Sequence, residues 1–217
     1  FCIATSLMLN IVFVGDTKNY HSGCYEVCKN IKHSLKKHTI VKSFPPMHSL
    51  PDVDWDAVDL VLVNGEGTLH HNRPAAEGIM DFVKRAQSHG VNTAIVNTVW
   101  QNMHIKWKPV LDSLDYFSVR DQLSQEYVAD AFDIQVDCYL DISMQNCYPL
   151  HKDSHADDIV CGNTLESKIF GLGNIISIFD HEWEDFVYQL SRHKGYVSGR
   201  FHEIAAACVA RTPFWPI

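Results

Sequence analysis

Basic runs are scarce in this chain. No stretch of Lys or Arg exceeds the pair Lys36-Lys37, and the formal net charge is −8 with His counted neutral. That balance disfavours a nucleic-acid partner. No apolar stretch reaches the ~20 residues that cross a bilayer, so no transmembrane segment is expected in this chain. The apolar opening Phe1–Leu9 lacks a basic flank and a small-residue cleavage site, which argues against a secretion signal. The chain starts without Met and stops inside Phe214-Trp215-Pro216-Ile217, as a chain with trimmed ends would. Cys-x-x-Cys pairs are missing, the seven Cys are odd in number, and Cys161 and Cys208 sit in apolar runs. Buried thiols in a reducing compartment suit this better than a disulfide framework, and the expected location is cytoplasmic. His21, Cys24 and Cys28 could in principle ligate a metal. Their spacing on an expected helix is unremarkable, and neither a metal nor a cofactor is expected. Internal repeats and low-complexity tracts are absent too.

What is present is core material. Nearly half of the 217 residues are hydrophobic and a fifth are charged, the composition of an ordinary folded chain. Short apolar runs alternate with helical patterns: strand 10–14, helix 26–37, strand 39–44, then a run at 58–63 that ends at Gly65 and Gly67. Pro74 suits the first turn of a helix over 75–89. A strand at 93–96 follows, then a short helix near 108–111, a strand at 116–119, a helix over 122–131 with Asp121 as its N-cap, and a strand near 134–136. Pro149 and the polar stretch 151–157 read as a linker. Beyond it the rhythm resumes with strands at 159–161, 175–178, 196–197 and 213–217 and helices near 165–170, 183–192 and 201–210. The pattern predicts an α/β fold, a doubly wound, Rossmann-like parallel sheet over 1–148, with a second, short or truncated Rossmann-like half over 149–217.

In such sheets ligands bind beyond the carboxyl ends of the strands, so polar residues that follow apolar strands are the candidates. Three junctions qualify. At Asn64-Gly65-Glu66-Gly67-Thr68 the glycines let backbone amides approach an anion. A tight packed turn explains the glycines equally well but not Glu66. At Ser118-Val119-Arg120-Asp121 the guanidinium of Arg120 offers a planar fork to a carboxylate or phosphate, the alternative being a structural pair with Asp121 or Asp141. At Ser198-Gly199-Arg200-Phe201-His202 a cation, a proton donor and the positive end of an Ala-rich helix converge. His202 could instead merely cap or pack. Trp100 and Asn102, after another strand, and Asp16, after the first, are rim candidates for an acceptor. Trp100 could equally anchor its loop, and Asp16 could shape a turn.

The segments Asn64–His71, Ser118–Asp121 and Ser198–His202, followed by an Ala-rich helix and Arg211-Thr212-Pro213-Phe214, resemble the pattern of the polysaccharide pyruvyl transferases, in the family's order and over most of the chain. The resemblance implies a two-domain, glycosyltransferase-B-like protein. It implies transfer of a pyruvyl group from phosphoenolpyruvate, a substrate and not a cofactor, to sugar hydroxyls as a ketal with release of phosphate. The chain departs from the pattern in the short segment between Pro149 and Gly195. Arg120 and Arg200 would hold the two anionic groups of the donor, helped by Gly65, Gly67, Thr68 and Gly199. His202 would act as general acid, and Glu66 or a neighbouring histidine as base. Two rivals stand beside this: a nucleotide-sugar glycosyltransferase, and a non-catalytic glycan-binding module derived from such an enzyme.

Overall fold

Apolar runs without polar alternation suit strands covered on both faces, and the central strands here have that character. The computed structural model describes residues 8–150 and 156–217. Strands β1 (Asn10–Val14), β3 (Leu60–Glu66) and β4 (Asn92–Thr98) are almost wholly buried. β2 (Thr39–Phe44), whose sequence carries Lys42 and Ser43 among apolar residues, is largely exposed and forms an edge. With β5 (Tyr116–Val119) and β6 (Asp137–Cys138) these strands make a six-stranded sheet, β2-β1-β3-β4-β5-β6, in which every pairing is parallel. Helices α2 (Pro74–Ser88), α3 (Lys108–Asp112) and α4 (Gln122–Phe132) flank it, and α1 (Ser22–Ser34) follows β1 in the chain.

Local chemistry sets several of these boundaries. Pro74 opens α2 as expected, and its apolar stripe of Ile79, Met80, Phe82 and Val83 is fully buried. Each such side chain contributes about 1.5–3 kcal/mol of burial. Asp121 caps α4, its Oδ1 accepting from the Ser124 amide at 2.8 Å. α1 begins at Ser22, four residues before the expected start. The His21 ring supplies the cap, Nδ1 accepting from the Cys24 amide at 3.3 Å, and Gly23 in the first turn hides the helix from a propensity reading. β3 runs on through Gly65 and Glu66, beyond the apolar run that marks it in sequence.

Contacts divide the chain into two compact units, one ending at Asp16 and resuming over Lys32–Leu140, the other made of Thr17–Ile31 and Asp141–Ile217. The second unit has its own three-stranded parallel sheet, β7-β8-β9, from β7 (Ala156–Cys161), β8 (His193–Ser198) and β9 (Phe214–Pro216). With it come α5 (Thr164–Phe170), α6 (Trp183–Leu190) and α7 (Phe201–Ala210). Its core joins Val160, Trp183, Phe186, Leu190 and Tyr196 to the alanines of α7. The strand expected at 175–178 is reduced to one bridge, Cys161 to Ile175, because the chain turns at once, the Asp180 amide bonding the Ser177 carbonyl. Of the polar stretch read as a linker, residues 151–155 lie outside the described residues, and Ala156 already opens β7. Residues 17–31 are tied into this unit by a buried polar cluster. Asn30 donates to the Ile142 carbonyl at 3.1 Å, and Tyr148 Oη and Asn146 Nδ2 both donate to Glu26 Oε1. Burial and the hydrogen bond to Glu26 raise the Tyr148 pKa far above that of an ordinary phenol.

Candidate active site

The strand order reverses between β1 and β3, with β2 on one side and β4 to β6 on the other. The crevice beyond the carboxyl ends at such a reversal is where open α/β sheets bind ligands. Gly15-Asp16 and Asn64 to Gly67 stand there. Gly15 has φ +89°, and a Cβ on it would lie 2.0 Å from the Asn64 carbonyl oxygen, so only glycine fits. Asn64 Nδ2 donates to the Gly15 carbonyl at 3.1 Å and to Glu66 Oε1 at 2.8 Å, and Asn97 Nδ2 donates to Asn64 Oδ1 at 3.2 Å. Glu66 is buried and has φ 39°. A non-glycine residue in that region costs about 1–3 kcal/mol and persists only where its surroundings over-determine it. Here Asn64 holds the carboxylate while the Val99 amide holds the Glu66 carbonyl at 2.7 Å.

The two glycines around Glu66 differ. A Cβ on Gly65 would sit 2.1 Å from Thr98 Oγ1, so Gly65 is required by packing. A Cβ on Gly67 would meet only Arg120 Nη2, at an ordinary 3.7 Å, and Gly67 has no positive φ. Among the described residues nothing demands glycine there, and the space it leaves adjoins a guanidinium. Arg120 is 9 % exposed and bonds through its amide to the Thr98 carbonyl. Thr68 closes the turn, its amide bonding the Gly65 carbonyl at 2.8 Å, so that donor is not offered to a ligand. His70 follows, its pKa lowered by burial first and by Arg73 and His71 after it.

The rim residues fare unequally. Trp100 is fully buried, packed edge-on against Phe117 and Phe132. It is a core residue with no face for a sugar ring, because the loop after β4 folds inward and Ser124 Oγ holds the Trp100 amide. Asn102 is exposed, has φ 49°, and meets His71 Nε2 at 2.9 Å. Asp16 Oδ2 accepts from Lys32 Nζ at 2.8 Å and from Ser43 Oγ at 2.6 Å, which engages that oxygen within the first unit.

In the second unit β8 delivers Ser198 and Gly199 to the start of α7, with Arg200 at the N-cap position. Buried carboxylates brace this junction. Glu166 accepts from the Gly162 amide at 2.8 Å and the Gly199 amide at 3.0 Å, so Gly199 already serves an internal anion. Glu203 accepts from Ser198 Oγ, from the Ile178 amide at 3.3 Å and from Arg200 Nη1 at 3.5 Å. Arg200 lies over the Phe179 ring at 5.2 Å, and its side chain is 41 % exposed.

His202 is 7 % exposed, and its Nε2 has no hydrogen-bond partner among the described residues. Asp141 Oδ1 lies 3.6 Å from that nitrogen, beyond hydrogen-bond range. The His21 ring stands edge-on at 5.1 Å, and a Cβ on Gly23 would come within 2.7 Å of His202 Cβ. Burial, then the charges of His202 and Arg200, depress the His21 pKa to about 4, so His21 is neutral at neutral pH. A buried polar group without a partner costs on the order of 1–3 kcal/mol, and such groups concentrate where chemistry is done.

The candidates therefore fall into two sets. Gly65, Glu66, Gly67, Thr68 and Arg120 gather in the first unit, and Gly199, Arg200 and His202 gather in the second. Sequence reasoning missed Gly23 and Asp141 beside His202, and Glu166 and Glu203 beside Gly199 and Arg200. Glu203, three residues after Arg200 on the same helix, was the most accessible of these, since such spacing places two side chains on one face. Gly23 and Asp141 are far from His202 in sequence, and no local pattern marks them.

No curated protein matches the chain. Among the solved structures that match is an uncharacterized protein from Klebsiella pneumoniae subsp. pneumoniae, with a TM-score of 0.55 and 12 % identity. The match covers 96 % of this chain and 84 % of that one and speaks to the fold alone. The sequence model of the polysaccharide pyruvyl transferases matches residues 9–217, which include every junction described above. On that match the chain belongs to the polysaccharide pyruvyl transferase family.

Proposed function

We propose that this chain transfers a pyruvyl group from phosphoenolpyruvate to two hydroxyls of a saccharide, forming a ketal and releasing phosphate. The observation that carries the reading is His202, buried, with Nε2 unsatisfied among the described residues, in the first turn of the helix that Arg200 opens. Phosphoenolpyruvate has a phosphate and a carboxylate, and bidentate guanidinium contacts suit both. Arg200, partly exposed at the head of α7, serves one of them.

The chemistry balances with acid and base alone. A proton goes to the methylene carbon, which becomes the ketal methyl. One sugar oxygen bonds to the adjacent carbon, the bond from that carbon to the phosphate oxygen breaks, and the second sugar oxygen bonds in its place. Of the two hydroxyl protons lost, one replaces that given to carbon and the other leaves with phosphate. His202 supplies the proton to carbon, and a general base accepts a hydroxyl proton. Asn102 is the remaining rim contact for the acceptor, while Trp100 has no part in it.

The test is phosphate release from phosphoenolpyruvate with a saccharide bearing neighbouring hydroxyls, together with the ketal methyl signal by NMR. Arg200→Ala and His202→Ala should each lose detectable turnover while keeping the thermal unfolding transition. Normal turnover in both variants overturns the reading. Thermal protection by nucleotide sugars but not by phosphoenolpyruvate would point to glycosyl transfer instead.

A further inference from the structure

Three side chains in the second unit form a group that acid–base chemistry does not explain. His21 precedes α1, Cys24 lies in its first turn, and His202 lies in the first turn of α7. One ligand atom from each falls within 4.8 Å of the other two. His21 Nε2 and Cys24 Sγ are already 3.5 Å apart. Tetrahedral zinc, with bonds of about 2.0–2.3 Å, sets its ligand atoms roughly 3.4 Å from one another. His21 and Cys24 are thus at ligand spacing, and only the two distances to His202 have to close.

We infer that His21, Cys24 and His202 form a binding site for one thiophilic divalent cation of the zinc class. Imidazole and thiolate are the donors that such ions prefer. His202 brings a buried Nε2 with no hydrogen-bond partner among the described residues, and Asp141 Oδ1, 3.6 Å from that same nitrogen, adds negative charge that favours a cation there. His21 also lines a recess of about 340 Å³ together with Lys18, Ser22, Tyr25 and Phe179, which gives an ion a way in.

The same geometry limits the affinity. A neutral imidazole that coordinates through Nε2 carries its proton on Nδ1. In the metal-free chain His21 Nδ1 accepts from the Cys24 amide, so coordination breaks the α1 cap, a loss of about 1 kcal/mol. The charge of Arg200, one cause of the low His21 pKa, opposes a cation, and loss of the Cys24 proton offsets it. The site is therefore a reversible trap and not a permanent structural centre. Where the proposed transfer reaction holds, on which this consequence rests, a bound ion occupies His202 and inhibits.

Titration with cobalt(II) tests the site without reference to activity. One equivalent per chain should give a thiolate-to-cobalt charge-transfer band that zinc abolishes by displacement. The band should vanish in Cys24→Ala and persist in Cys28→Ala. Absence of the band from the unaltered chain, or its survival in Cys24→Ala, overturns the site. In the phosphate-release assay zinc should inhibit the unaltered chain at least tenfold more strongly than Cys24→Ala, whose metal-free turnover should match it. A chain with no turnover on any donor refutes the transfer reading alone, because the spectral titration still decides the site.

Discussion

The two strand-to-helix junctions look alike in sequence, each a polar run with glycine after an apolar strand, yet they differ physically. At Asn64 to Thr68 the polar groups answer one another: Asn64 serves Gly15 and Glu66, Thr68 serves Gly65, and Gly65 is glycine because Thr98 occupies the space of a side chain. At Ser198 to His202 the carboxylates of Glu166 and Glu203 satisfy backbone amides, and His202 Nε2 stays buried with no hydrogen-bond partner among the described residues. Glycine spacing marks a tight turn in both. Reactivity is better read from which buried polar group has been left without a partner.

The largest expected effect breaks the second junction from outside it. Gly23→Ala places a methyl group 2.7 Å from His202 Cβ, and displacing a reacting group by about 1 Å costs on the order of 10²-fold in rate. Turnover should fall by about that factor while circular dichroism stays unchanged. Full activity in Gly23→Ala would mean that the position of His202 does not matter.

Gly15→Ala attacks the first junction. Its φ of +89° and the 2.0 Å approach to the Asn64 oxygen should lower unfolding stability by roughly 2–4 kcal/mol, read from urea midpoints. Glu166→Gln should cost less, about 1–2 kcal/mol, because a neutral amide offers one acceptor oxygen where the Gly162 and Gly199 amides now use two. Gly67→Ala should stay within about 0.5 kcal/mol of the unaltered chain yet weaken protection by phosphoenolpyruvate, since the methyl group enters the space beside Arg120. Gly65→Ala should do the reverse, destabilising through Thr98.

The smallest effect is a pH dependence away from both junctions. Hydrogen bonds from His193 first and Asn174 second hold the Asp158 pKa below its ordinary 3.8. The native state thus favours the carboxylate, so the contribution is complete above pH 3.8 and disappears as pH falls through the lowered native value. Melting temperature should drop more steeply below pH 4 in the unaltered chain than in Asp158→Asn.

Much of this was legible in the sequence. Apolar runs such as Val61-Leu62-Val63 and Thr93-Ala94-Ile95-Val96 mark central strands because both faces of each are covered, and Pro74 and Asp121 announce helix starts by local chemistry. Trp100 misled because a large aromatic after a strand reads the same whether it faces solvent or core, and only packing against Phe117 and Phe132 separates the two. The start of α1 was missed because its cap is a histidine and its first turn holds Gly23, both poor helix signals.

By itself the sequence determined the alternation of strands and helices, the parallel sheet it entails, and the junctions where polar residues follow apolar strands. Those are local properties, set by side-chain burial and backbone preference within a few residues. Tertiary structure decided the strand order that puts Glu66 at a topological reversal, and the gathering of His21, Gly23 and Asp141 around His202. Contacts between residues so distant in the chain leave no periodic trace in it, because their cause is packing in space and not neighbourhood along the backbone.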